Sequence, residues 1–292
     1  MTSFGFLGFG EAGQAMAASL KAQDPSLIIA AYDKAPTSVI ASIMASTEGR
    51  LCDSPSDLAA TCDIIISVVT ADEAVNAAQS IASYLGKAHH FLDGNSVSPG
   101  TKRQAADIIQ EAGACYCDMA IMAPINPRGH KTPVLLAGAN EAEIMPIFDA
   151  LAFSYGWEGT DIGQASVVKM LRSILIKGME CIISESVIAS QGLGLDERIL
   201  SSAGKTLGIA DMPALADYVM ERAATHGRRR AAEMREVAKT LDELGLSSDM
   251  SEAIARMQDR LADMAIGDHF EDGIPQDRAQ LAPLMRAAQN SK

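Results

Sequence analysis

Aromatic side chains are scarce in this chain, 4% of 292 residues with one tryptophan. Apolar residues nevertheless reach 48%, including 15 methionines, so the interior must be aliphatic with methionine as adaptable filler. Positive charge is also in short supply. Lys and Arg number 24 against 37 Asp and Glu, a formal charge of −13. Such a field repels phosphate backbones and argues against a nucleic-acid partner. The five cysteines form no CxxC pair and have no histidine-rich spacing beside them. That argues against zinc or any other metal site and for reduced thiols in a cytoplasmic protein. No long run is apolar enough for a membrane: the richest, SILIKGMECIISESVIAS, carries Lys177, Glu180 and Glu185. No secretory leader is expected, because the first apolar residues run straight into a glycine turn. Internal repeats and low-complexity tracts are absent.

Short apolar runs alternate with helical patterns through the first half. FGFLG, LIIAAYD (27–33), DIIISVV (63–69), HHFLD (89–93), CYCDMAIMA (115–123) and PVLLAGA (133–139) read as strands. Several are apolar throughout, as expected when helices cover both faces. This alternation predicts an α/β fold: a Rossmann-like, doubly wound, mostly parallel sheet. From about residue 164 the strands stop. SVVKMLRSILIKGMECIISESVIASQG predicts a helix of more than 25 residues ended by Gly192. DMPALADYVMERAATHG, RRRAAEMREVAKTLDELG and SEAIARMQDRLADMAIG predict three more, each closed by a glycine. The expected organisation is a dinucleotide-binding domain over 1–162 and an all-α C-terminal domain over 163–292 for substrate binding and dimerisation.

The first chemistry-bearing stretch is FGFLGFGEAGQAMAASL, residues 4–20. Gly8, Gly10 and Gly13 follow a predicted strand and open a predicted helix, the context a dinucleotide cradle demands. Gly8 permits the turn, Gly10 lets the backbone approach the pyrophosphate, and Gly13 lets helix and strand pack closely. Phe9, Glu11 and Ala12, interleaved with them, belong to the same amide-rich helix start. Asp33 closes the next strand, twenty residues after Gly13. A carboxylate there would hold the ribose hydroxyls of NAD and repel the extra phosphate of NADP. Lys34, next door, softens that repulsion, so the expected cofactor is NAD with NADP as the alternative.

Two further features stand out. LDGNSVSPG is a polar loop at the C-terminal end of a predicted strand, where ligands of open α/β sheets collect; a plain turn with Pro99 starting a helix is the simpler alternative. Lys169, Ser173, Lys177, Glu180 and Ser184 then form one polar stripe on an otherwise apolar helix. Such a stripe must face water, a cleft or partner groups.

With these features in place, the chain resembles the β-hydroxyacid dehydrogenases, which include 3-hydroxyisobutyrate and 6-phosphogluconate dehydrogenases, and within them a bacterial branch with a distinctive helical C-terminal domain. Asp93-Gly94-Asn95-Ser96-Val97-Ser98-Pro99 looks like the family's Asp-x-Ser-Thr-x-x-Pro segment. The resemblance implies that Ser96 meets cofactor and substrate near the nicotinamide, with Asn95 adding an amide hydrogen bond. Val69 and Thr70 should line the cofactor crevice. The family's catalytic lysine falls on Lys169, and Ser173 stands four residues on, where the family usually has Asn. Lys169 would then accept the substrate hydroxyl proton as hydride leaves the same carbon, and Ser173 would orient it. Desolvation in a cleft would draw a lysine toward neutrality and suit both directions.

The likeness frays on the substrate side. The family's Asp-Ala-Pro-Val-Ser-Gly-Gly loop aligns with Asp118 to Pro124, where Met122, Ala123 and Pro124 replace the serine and both glycines. Asn126, Arg128, His130 and Lys131 follow, either as anion ligands or as a solvated loop. The family's Lys-Asp-Leu motif is missing, but HGRRR lies about a turn earlier. It reads either as an anion site using His226 and Arg229 or as an exposed helix start with Arg229 paired to Glu233. Three arginines at a helix start would oppose its dipole. The expected function is an NAD(P)-dependent oxidoreductase of a small, anionic hydroxy compound, working as a homodimer without nucleic-acid or membrane partners. An imine reductase and a non-catalytic dinucleotide sensor are the alternatives.

Overall fold

The computed structural model describes residues 2–290. The chain falls into two compact units, Met1–Met170 and Leu171–Lys292.

The first unit is built on eight strands: β1 (Ser3–Leu7), β2 (Ile28–Tyr32), β3 (Arg50–Leu51), β4 (Ile64–Ser67), β5 (His90–Asp93), β6 (Cys115–Ile121), β7 (Val134–Ala137) and β8 (Tyr155–Trp157). They form one sheet in the order β3-β2-β1-β4-β5-β6-β7-β8. Every neighbouring pair is parallel except β6 and β7. The helices between them are α1 (Glu11–Gln23), α2 (Ser38–Ser46), α3 (Pro55–Thr61), α4 (Ala74–Ala82), α5 (Pro99–Glu111) and α6 (Glu141–Ala150). This is the doubly wound architecture that the sequence predicts. The two-residue β3 and three-residue β8 escape sequence reading because they are too short to show a period.

Successive side chains of a strand point to opposite faces, so each face buries its own core. Phe4, Phe6, Ile64 and Ile66 pack with Met16, Leu20 and Phe148 on one side. Leu7, Ile65, Phe91 and Tyr116 pack with Leu58, Ile81 and Ile109 on the other. The order reverses at β1, which pairs with both β2 and β4, and ligand crevices of open sheets form at that switch point. All five cysteines are free, and burial pushes the thiols of Cys52 and Cys62 up to about 11 and about 12, which leaves them unreactive.

Helix α7 (Gln164–Gln191) begins in the first unit and continues into the second, which adds α8 (Asp196–Leu207), α9 (Met212–Glu243), α10 (Asp249–Ala262) and α11 (Arg278–Asn290). Among the described residues every regular element after β8 is helical, as expected. Two details differ from the sequence reading. The segments before and after Gly227 form one 32-residue helix. Gly227 is a packing residue: a Cβ there would stand 2.7 Å from the Gln258 carbonyl oxygen and 2.9 Å from Ala262 Cβ of α10. Glycine costs about 1 kcal/mol in a helix interior, and close helix contact offsets that here. Helix α10 stops at Ala262, and Gly267 lies in a separate 3-10 turn, Ile266–His269. Arg278 ties the helical unit together, pairing with Asp196 of α8 at 3.4 Å and Asp217 of α9 at 2.9 Å. No helix among the described residues is long and apolar enough to cross a membrane.

Candidate functional site

The glycine turn sits between β1 and α1. Gly8 has φ +88°, a conformation that side chains resist, and a Cβ there would meet Val69 Cγ1 at 2.7 Å. At Gly13 a Cβ would stand 2.9 Å from the Gly8 carbonyl oxygen. Both glycines serve the close packing of the turn itself. Gly10 differs: a Cβ there meets nothing within 4 Å. Gly10 is also the N-cap of α1 and offers no side-chain cap, so the first amides of the helix face this opening. An open space lined by main-chain amides fits a phosphate group.

Asp33 lies beside the same turn. Its carboxylate accepts hydrogen bonds from the amides of Phe9 (2.8 Å) and Ala35 (2.9 Å), which fixes a negative charge just past the end of β2. Lys34 is drawn the other way, into an exposed ion pair with Glu73 at 2.7 Å. The Phe9 ring is buried against Phe6. Glu11 and Ala12 open α1, and the Glu11 carboxylate accepts from the Asn126 amide at 3.3 Å.

The opposite wall of the crevice comes from the ends of β4 and β5. Asn95 is buried and joins them: its Oδ1 accepts from the Val69 amide at 2.7 Å, and its Nδ2 donates to Ser67 Oγ at 3.0 Å. Val69 is half-buried and Thr70 exposed. Ser96 is next along, and its Oγ accepts a hydrogen bond from Lys169 Nζ at 2.5 Å. The loop after β5 and the start of α7, 73 residues apart in sequence, therefore meet through these two side chains.

Beneath that contact lies a buried charge network that sequence reasoning missed. Lys102, in the first turns of α5, is fully buried. Its ammonium bonds the Asp93 carbonyl, reaches Asp93 Oδ1 at 3.0 Å and pairs with Asp118 Oδ1 at 3.4 Å, which occupies all three donors. Asp93 also accepts from the Asn95 amide at 2.9 Å and the Tyr116 hydroxyl at 2.7 Å. Burial, followed by the charge of Asp93, holds the Tyr116 phenol far above its ordinary range, so it stays a donor. Asp118 accepts from Ser166 twice, at the amide (2.9 Å) and the hydroxyl (2.7 Å), and thereby caps the first turn of α7. The one local signal was a lysine near a helix N-terminus, where the dipole disfavours it.

The substrate-side residues scatter. Met122 and Ala123 are half-buried at the end of β6, while Pro124 and Asn126 are exposed. His130 belongs to the interior: its Nε2 lies 2.9 Å from the Leu151 carbonyl and its Nδ1 2.7 Å from Ser19 Oγ. A carbonyl only accepts, so Nε2 carries the proton, and this ring is structural.

In the helical unit, Ser173 is buried and lies 3.4 Å from Lys177 Nζ, which pairs with Glu233 at 2.5 Å. Glu180 pairs with Arg230 and accepts from Gln258 at 3.3 Å. Burial raises the Glu180 carboxyl despite that arginine. At Lys177 and Glu180 the polar stripe of α7 thus meets partner groups on α9 and α10. His226 and Arg229 lie in the middle of α9, so the expectation of a helix start at HGRRR is corrected. Arg229 is exposed and stands 3.9 Å from Glu233.

Fold and turn together define a dinucleotide-binding protein of the doubly wound class. The chain belongs to the family defined by the NAD binding domain of 6-phosphogluconate dehydrogenase, which matches residues 3–159, more than half of its length. A domain of unknown function, DUF1932, matches residues 191–261. The resemblance to β-hydroxyacid dehydrogenases read from the sequence therefore holds, and the matched domain indicates a nicotinamide dinucleotide as cofactor. A conserved hypothetical protein from Sinorhizobium meliloti is 31% identical, with 99% of this chain and 97% of that chain aligned at a TM-score of 0.75. Bovine (Bos taurus) mitochondrial 3-hydroxyisobutyrate dehydrogenase is 24% identical over 210 residues, 68% of this chain and 60% of that protein. An imine reductase from Streptomyces aurantiacus shares the fold at 17% identity and a TM-score of 0.59, with 97% of this chain and 99% of that chain covered.

Proposed function

We propose that the chain is an oxidoreductase that transfers hydride between a nicotinamide cofactor, preferentially NAD, and a small anionic hydroxy compound, with Lys169 as general acid and base. The observation that carries this reading is the 2.5 Å contact between Lys169 Nζ and Ser96 Oγ. It sets an amine against a hydroxyl at the C-terminal edge of the sheet whose glycine turn leaves the opening at Gly10. The bound dinucleotide would supply the hydride acceptor or donor. The amides around Gly8, Gly10 and Gly13 would hold its pyrophosphate, Asp33 its ribose, and Val69, Thr70 and Asn95 would line its crevice.

Lys169 as the free amine takes the hydroxyl proton of the substrate, and as the ammonium it returns a proton to a carbonyl oxygen. Ser96, which accepts from Lys169, can turn its own proton toward the substrate oxygen and hold that oxygen within reach. Ser173, one turn further along the same helix, would orient the amine. Substrate contacts are assigned to Met122, Ala123, Pro124 and Asn126. His226 and Arg229, in the middle of α9, are given no substrate role.

Lys169→Ala is expected to abolish turnover in a screen of hydroxy acids while NADH binding, read by fluorescence, persists; substantial remaining activity would remove the role of Lys169. The loss of the serine and both glycines from the loop at 122–124 favours a second reading, reduction of an imine. The same screen run with imines separates the two, and tight NADH binding without any turnover would mark a dinucleotide sensor. We also infer a homodimer through the helical unit, because α7 turns its polar stripe inward and leaves Leu175 and Ile182 70% and 62% exposed.

A further inference from the structure

Lys102, Asp93 and Asp118 are a lysine and two aspartates without access to water. Removing three charges from water is costly, and aliphatic side chains of similar volume would fill the space without that cost. The three charges have to be read from what they join. Asp93 ends β5, and its carboxylate holds the Asn95 amide at 2.9 Å, one residue before Ser96. Asp118 lies on β6 and holds Ser166 by amide and hydroxyl, three residues before Lys169 and on the same side of α7. Lys102 bridges the two carboxylates, at 3.0 and 3.4 Å. The chain Asn95–Asp93–Lys102–Asp118–Ser166 therefore runs from the backbone beside one member of the Lys169–Ser96 pair to the helix turn beneath the other. Each link is a charge-assisted hydrogen bond or a buried ion pair, and such contacts hold their partners in a set direction.

We propose that this buried chain is a positioning device that locks the Ser96 loop to the first turn of α7 and so sets the Lys169–Ser96 contact. The proposal rests on the catalytic reading of Lys169 given above, and it assigns positioning roles to Lys102, Asp118 and Ser166. None of the three touches the reacting groups; they act through the two that do. An apolar replacement could keep the space filled but would leave the loop and the helix free to slide past each other.

Ser166→Ala is the mildest probe, since it removes the hydroxyl and leaves the amide bond to Asp118. Three measurements go with it: NADH affinity, kcat and KM separately, and the pH dependence of Lys169 modification by an amine reagent, followed residue by residue by mass spectrometry. The labelling needs no turnover. The expected result is a kcat lower by about 10- to 100-fold, as for a small displacement of a reacting group. NADH affinity should stay at the wild-type value, and the Lys169 labelling midpoint should move by about half a pH unit or more. Ser166→Thr, which restores a hydroxyl, should recover both. Lys102→Met should give a larger shift of the same kind in whatever fraction folds.

A Ser166→Ala protein with wild-type kcat and an unchanged labelling profile would overturn the proposal, as would a lower melting temperature with that profile unmoved. If the wild-type enzyme turned over nothing in the screen while the labelling profile still shifted in Ser166→Ala, the catalytic reading would fall and the positioning device would stand.

Discussion

Adding one methyl group at Gly10 tests the cofactor cradle directly. The residue sits at φ −77° and ψ −160°, extended backbone that alanine adopts, and the added Cβ meets no atom within 4 Å. Alanine narrows the unfolded ensemble, worth about 0.4–1 kcal/mol of stability. Losing glycine at the N-cap costs a comparable amount, about 1 kcal/mol or less. The two nearly cancel, so the melting temperature should move by no more than about 2–4 °C, the equivalent of about 1 kcal/mol in a chain of this size. A pyrophosphate meets the methyl differently. Its oxygens need to come within about 2.7–2.9 Å of the turn amides, whereas a methyl carbon keeps its neighbours at about 3.5–4.0 Å. One hydrogen bond to a charged group is worth about 1.5–3 kcal/mol, so NADH should bind about 10- to 100-fold more weakly. Gly8→Ala and Gly13→Ala supply the contrast. Their Cβ atoms would meet Val69 Cγ1 at 2.7 Å and the Gly8 carbonyl oxygen at 2.9 Å, overpacking that costs about 1–3 kcal/mol. The left-handed backbone at Gly8 adds about 1–2 kcal/mol. The assay is a thermal melt and an NADH titration of all three variants side by side. Wild-type NADH affinity in Gly10→Ala, or a melting temperature as depressed as that of Gly8→Ala, would refute the open-cradle reasoning.

Asp33→Ala removes the fixed carboxylate held by the Phe9 and Ala35 amides; the ratio of NADH to NADPH affinity should fall by about tenfold or more, and an unchanged ratio would deny Asp33 any part in cofactor choice. Burial lowers the His130 imidazole below its ordinary 6.5, so the native state binds fewer protons than the unfolded chain. Its contribution to stability is complete above about pH 6.5 and is lost as pH falls toward the lowered native value; denaturant melts of wild type and His130→Gln should diverge in that window, and parallel pH curves would contradict it. Leu175→Glu with Ile182→Glu places two charges on the outward face of α7, and light scattering should then report a monomer where the wild type is a dimer; a dimer that survives both changes lies on another surface.

The parts of the molecule legible in the sequence are those whose cause is local. Strand runs such as Ile64–Ser67 are apolar because both faces are covered, and the glycine turn announces itself by standing between a strand and a helix. Asp33 is legible for the same reason, at a fixed distance along the chain. Gly227 shows where this reasoning stops. A glycine after a periodic helical segment normally marks a helix end, but here the carbonyl of Gln258, on another helix, requires the missing side chain. His130 is equally ambiguous in sequence, because its two partners, Ser19 and Leu151, lie far from it along the chain.

Helix α7 carries this distinction furthest. Its polar stripe is visible in the sequence, which allows it three destinations: water, a cleft, or partner groups. From Ser173 to Glu180 the destination is partner groups, a conclusion that depends on Glu233, Arg230 and Gln258, residues 50 to 78 positions from the side chains they meet. Apolar residues such as Ile183, Val187 and Ile188 share the buried side with that stripe, and the apolar residues on the opposite side of the cylinder face outward. Leu175 and Ile182 therefore become surface residues by the same geometry that buries Lys177 and Glu180. An exposed aliphatic stripe of that kind on a helix too polar to cross a membrane calls for a covering surface. A second copy of this helix offers one of matching chemistry, and the two-glutamate variant separates that surface from every other.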